Sequence, residues 1–225
     1  MNLREILLIL PAAMVLATPA RAIQINWGCE VDSVLRDSFG NPLDETFAVQ
    51  LGFFTSVLGD NFVPGASNTA DWSSHWKVFD QAAFDPASGY FTSSALLKSD
   101  GSSDSPFADL GVDFSNQGAY LWIHNSENPG PQSEWFLVTA PAWRIPGKVD
   151  DCCDNRLPPE WSVSDLTSGA IPVYGKQGDT TGSGVFTVTG SYTLQTFTVV
   201  PEPSTSLLLA LGGLSVVLRR RRTGI

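Results

Sequence analysis

The chain has 225 residues, 43% hydrophobic and 16% charged, with 23 acidic against 13 basic side chains. Six of the basic ones (Arg4, Arg21, Arg219, Arg220, Arg221 and Arg222) stand near the two ends, so residues 23–200 hold 7 basic against 21 acidic groups, a net charge of −14. A body this acidic repels nucleic-acid phosphates and anionic lipid headgroups, which argues against both as partners, and its 178 residues suit one well-filled core.

Residues 1–22 read as a secretory signal peptide. Arg4 supplies the positive n-region, residues 6–16 the apolar stretch, and Ala20-Arg21-Ala22 a small-x-small cleavage site. Cleavage between Ala22 and Ile23 starts the mature chain at Ile23. The apolar stretch is short for a membrane span and Pro11 interrupts it, leaving an uncleaved anchor as the alternative. Export to an oxidising compartment makes Cys29, Cys152 and Cys153 candidates for a disulfide, Cys29 with Cys152 or Cys153. Closing so long a loop contributes about 4 to 5 kcal/mol in the chain-entropy model. The third cysteine is free, pairs between chains, or joins a vicinal Cys152–Cys153 bond; the sequence leaves these open. The adjacent pair lacks zinc-knuckle spacing and has no histidine nearby, so no metal site is assigned. His75 and His124 have no cysteine-protease context.

From there the body reads as an all-β domain, a single β-sandwich or jelly roll over residues 23–199. Residues 23–27, 46–54, 76–79, 120–124 and 135–139 are rich in β-branched and aromatic side chains, and turn-forming clusters occupy residues 37–42, 63–68, 85–89, 128–131 and 178–182. Over residues 186–195, Phe186, Val188, Tyr192 and Leu194 alternate with threonines and Gln195, the period of a strand with one buried face. A bulge or tight turn is expected at Gly190 and Ser191. Helix is expected only as short turns over residues 68–75 and 80–84, and no fixed-period repeat points to a propeller or solenoid.

Three chemistries were weighed on this body. All seven tryptophans lie in it. Trp122 and Trp135, inside strand-like runs, are expected in the core, whereas Trp72 and Trp76, in a loop-like segment, are the better surface candidates for stacking on the sugar rings of an extracellular polysaccharide, with core packing the favoured reading for them too. Asp100, Asp104, Asp109 and Asp113 among glycines and serines suit a calcium loop in ligand type, yet their spacing is not that of an EF-hand, and a solvated loop is the competing reading. The expectation is no cofactor, with calcium as the alternative. For catalysis there is no nucleophile with its base, no H-E-x-x-H and no Gly-Ser elbow, so no enzyme is expected. A hydrolase using two of the 21 carboxylates is the remaining alternative.

Residues 200–225 form a distinct tail: Pro201, Glu202 and Pro203, then an apolar run over 207–218, then Arg219, Arg220, Arg221 and Arg222. As a helix, residues 204–218 would span roughly 22 Å, short of the ~30 Å hydrocarbon core, and Gly212-Gly213 weakens the helix further. Four arginines after the apolar run hold that end in the cytoplasm and leave the body outside. In order and position these residues resemble the PEP-CTERM sorting tail of exported bacterial proteins. That resemblance implies recognition by an integral-membrane exosortase with a cysteine nucleophile, after Sec-type export, and removal of a tail that anchors the chain transiently. An ordinary C-terminal anchor is the alternative. Residues 61–76, with residues 89–92 and 119–122, also resemble passenger domains that precede such tails, for which no activity is implied. The expected product is a structural or adhesive component of the cell envelope or extracellular matrix.

Overall fold

Side-chain alternation decides the first strand, β1 (Ala22–Gly28), where Ile25 and Trp27 are buried while Gln24 faces water. The computed structural model describes residues 22–29, 33–56, 62–148, 159–162, 170–178, 180–181, 187–188 and 193–199. Along the chain follow β2 (Val34–Arg36), β3 (Ala48–Phe54), a 3-10 helix (Ala66–Asp71) continuing into α1 (Trp72–His75), β4 (Trp76–Asp85), β5 (Tyr90–Lys98), β6 (Gly118–His124) and β7 (Glu134–Arg144). Short strands complete it: β8 (Glu160–Ser162), β9 (Ile171–Tyr174), β10 (Lys176–Gln177), β11 (Thr180–Thr181), β12 (Thr187–Val188), β13 (Thr193–Gln195) and β14 (Phe197–Thr198).

Nine of these strands make one sheet in the order β14-β7-β6-β3-β4-β5-β1-β8, with β9 also on β7. Its neighbours are antiparallel except β1 and β8. The sheet curls into a half-barrel, in keeping with the all-β expectation. Its inner face buries Ile25, Val49, Leu51, Phe79, Phe91, Leu97, Leu121, Ile123, Phe136 and Val138. Leu35 and Leu194, from the small sheet β10-β13-β2, join that core and close the open side. The opposite face carries a second, aromatic core under the helical segment. Both faces of the central strands are therefore buried, which is why β7 reads as a nearly continuous apolar run.

Two expectations are corrected. Residues 80–84 are strand, because β4 continues to Asp85, pairing with β3 through Ala82 and then with β5. β5 was not anticipated: its buried Phe91, Ala95 and Leu97 alternate with exposed Thr92, Ser94 and Leu96, and small polar residues dilute the pattern. The strand expected over residues 186–195 is present as β12 and β13, with Phe186, Gly190, Ser191 and Tyr192 outside the described residues. The signal and tail helices, at residues 1–21 and 200–225, lie outside them as well.

One glycine fixes how β3 meets β4. Their register shifts between Leu51 and Gly52, and a Cβ on Gly52 would stand 2.2 Å from the Lys77 carbonyl oxygen and 2.8 Å from the Trp76 ring. A backbone atom cannot yield as a flexible side chain can. Gly52→Ala is expected to lower stability by about 2 to 3 kcal/mol, read as a fall in the urea midpoint; an unchanged midpoint would contradict this packing.

Candidate functional site

The loop-like appearance of residues 68–76 hides a buried aromatic cluster. Trp72 is 0% and Trp76 4% exposed, so the surface role expected for them is corrected. The 3-10 segment and α1 lie over the outer face of the sheet, and Trp72 stacks on Trp135 at 5.1 Å and 20°. Trp122 meets Trp72, Trp76 and Trp135 edge-on at 5.9, 5.4 and 5.0 Å. Two of the indole nitrogens are bonded inward as well: Trp72 Nε1 donates to Asn68 Oδ1 at 2.9 Å and Trp76 Nε1 to Gln50 Oε1 at 2.8 Å, while Trp122 Nε1 is buried without a partner. Trp27, Trp143 and Trp161 are buried too, so none of the seven offers a ring face for a sugar. The expectation that Trp122 and Trp135 are core residues agrees with their complete burial.

The four aspartates of the candidate calcium loop serve separate backbone tasks. β4 and β5 pair only over Ala83–Asp85 and Tyr90–Thr92, and beyond that they diverge to other partners. Two aspartates bind the strands where they part. Asp109 accepts from Val78 N through Oδ2 at 2.8 Å while its own N–H donates to Val78 O at 3.0 Å. Asp104 repeats the arrangement on Leu96, at 2.6 and 3.0 Å. Each carboxylate thus stands in for a strand that is not there. Asp100 folds back on Ser102, whose hydroxyl holds its carboxyl below the usual range. Lys148, 2.8 Å from Asp113, holds that carboxyl down to about 2, with Ser115 assisting. Among the described residues no group of three or more His, Cys, Asp or Glu side chains converges as metal ligands do.

His124 is the chemically unusual residue that the sequence did not single out. At the end of β6 it is 4% exposed, its ring lies 4.5 Å from Trp122, and neither ring nitrogen has a hydrogen-bond partner. Burial without a partner disfavours the charged form and pushes its pKa down to about 4. Nothing in its sequence context signals this, because His75, the other histidine, is conventionally satisfied: it stacks on Phe62 at 3.9 Å and Nδ1 donates to Thr55 O at 2.8 Å. Beside His124 the β6–β7 hairpin, from Asn125 to Ser133, encloses an open crevice of about 530 Å³. Its polar groups largely bond to one another, as in Asn125 Nδ2 to Gln132 O and Ser133 Oγ to Asn128 O.

At that same end of the sheet the chain leaves the body. β14 pairs with the first residues of β7, Phe197 with Trp135 and Thr198 with Glu134, and Val199 N donates to Ser133 O at 2.6 Å. Thr193, Leu194, Gln195, Thr196 and Val199 are all buried. Glu134, itself buried, accepts from Ser38 N at 2.8 Å and from the hydroxyls of Ser38, Thr196 and Thr198. Tyr174 donates to Thr198 O at 2.9 Å. One carboxylate on β7 therefore gathers donors from the 37–41 loop and from residues 196–198.

At the other end, Ala22 and Ile23, the residues flanking the expected signal cleavage, open β1 opposite Lys98 and Leu97. Cys29 Sγ accepts from Phe91 N at 3.3 Å, while its expected partners Cys152 and Cys153 lie outside the described residues, as do Pro201, Glu202, Pro203 and Arg219, Arg220, Arg221 and Arg222. No helix among the described residues is long and apolar enough to cross a membrane. Residues 199–222 match the PEP-CTERM protein-sorting motif, a match that begins at the buried Val199. No curated protein and no solved structure matches the chain.

Proposed function

From the PEP-CTERM protein-sorting motif that this chain carries, we propose that the body is a non-catalytic structural or adhesive passenger of the cell envelope or extracellular matrix, freed of both ends before it reaches its place. The motif supports the coarser statement directly: the protein is exported and sorted by an exosortase. The finer reading has the signal leave between Ala22 and Ile23, while the tail holds the precursor at the membrane through its apolar run and four arginines. Scission of one amide near Pro203 then consumes a water, leaving a carboxylate on the body and an amine on the tail. The single observation that carries this is the order of Pro201, Glu202 and Pro203, apolar run and arginines inside the matched residues. A structural role is supported by the way the body uses its chemistry: tryptophans pack the cores, and Asp104, Asp109 and Glu134 bind strands and loops.

Mass spectrometry of the protein from its native host is expected to find Ile23 at the N-terminus and nothing beyond about Pro203. Glu202→Ala is expected to leave the tail attached in most of the protein. A mature chain that retains Arg219, Arg220, Arg221 and Arg222 would overturn the reading.

A further inference from the structure

We propose that β14 must leave β7 before the tail can be processed, so that the fold of the body governs when its own sorting signal is read. The proposal rests on the exosortase reading above and adds a regulatory element within the body. A sorting tail joined through a loose linker would present its motif at once. Here Thr196 and Val199, on either side of the more open β14, are fixed inside the fold ahead of the motif, at 1% and 0% exposed. Pro201 follows Val199 by two residues, so it reaches no more than about 7 Å from a position fixed inside the fold.

A peptide-binding cleft takes its substrate as an extended strand and pairs with backbone on both sides of the bond to be cut. The residues that would fill its upstream half, Phe197, Thr198 and Val199, are already paired with β7 and Ser133. The same backbone groups cannot serve both partners. Release is nonetheless local, because β14 is a strand of two residues at the edge of the sheet and Val199 is the one residue of 197–199 that belongs to the outer core. Glu134 is the latch. Its contacts to the Thr196 and Thr198 hydroxyls, with the tie from Tyr174 to Thr198 O, are what opening must break. When opening is fast relative to scission, the processing rate follows the fraction of molecules with β14 released.

The test uses the full chain in its native host, following precursor and processed body by pulse-chase and mass. One variant inserts six Gly/Ser residues between Val199 and Val200, which leaves β14 in place and supplies free chain ahead of the motif. It is expected to be processed about tenfold faster. A second, Thr198→Val, keeps the strand shape but removes a hydroxyl from the latch, and is expected to speed processing by a smaller factor. Processing of both at or below the unaltered rate would overturn the proposal. Glu202→Ala, introduced into the insertion variant, separates the two readings: blocked processing shows that the motif is still being read, whereas normal processing overturns the sorting reading itself.

Discussion

Truncating Trp135 to alanine is expected to cost about 4 to 5 kcal/mol, the largest loss from any single side chain of the outer core. The ring is fully buried on β7, stacked on Trp72 and edge-on to Trp122, and Nε1 donates to the Ser126 carbonyl at 2.5 Å. Removing it opens a cavity beneath α1, strips Trp72 of its stacking partner and leaves the half-buried Ser126 carbonyl short of a donor. Against a usual domain stability of roughly 5 to 15 kcal/mol, the variant keeps only a fraction of its margin. Trp135→Phe retains an aromatic surface and is expected to lose less, about 2 kcal/mol. Urea unfolding followed by far-ultraviolet circular dichroism gives both values. A loss below about 1 kcal/mol for the alanine variant would show that the four-tryptophan cluster is not what holds the helical segment to the sheet.

Acidification is the second test, and it isolates His124. The ordinary histidine value is 6.5 and burial brings this ring to about 4 in the folded chain. Between those pH values the unfolded chain takes up a proton that the folded chain refuses, so stability falls as the pH drops. It is fully present above pH 6.5 and lost progressively on the way to pH 4, about 3 kcal/mol in all, with no further loss below that. Asp113 titrates in a lower window: it is held at about 2 against 3.8, so its contribution is present above 3.8 and lost as the pH falls through 2. His124→Phe keeps a ring against Trp122 and removes two nitrogens without partners, so it should match or exceed the parent at pH 7. Its stability should decline much less between pH 6.5 and 4. Equal slopes for the two proteins would place the acid sensitivity elsewhere.

The sequence announced strands wherever one face was apolar and the other was not, or where an aromatic run was bounded by turns. β1, β3, β6 and β7 were legible for that reason. β5 escaped because Ser93, Ser94 and Ala95 carry little apolar contrast, although burial there still alternates. Residues 80–84 were misread because Gln81, Ala82 and Ala83 favour helix in isolation, and only pairing with β3 and β5 overrides that preference. The burial of Trp72 and Trp76 was not legible at all. It depends on a helical segment that packs on the outer face of the sheet, a tertiary contact without a local pattern. The aspartate cluster was conspicuous, but its task was fixed by where β4 and β5 part company, far apart in the ladder from the loop itself. The tail could be read from the linear order of its residues, and the burial of Thr196 and Val199 just ahead of its motif could not.

Among the described residues the nine-stranded sheet ends in β14 and β9, both on β7, on one side and β8 on the other, strands of two, four and three residues. Long bare sheet margins let copies of a chain zip together into fibres. These two margins present too few backbone groups in register to seed such growth. The acidic side chains, a net −14 over residues 23–200, add electrostatic repulsion between any two copies that approach.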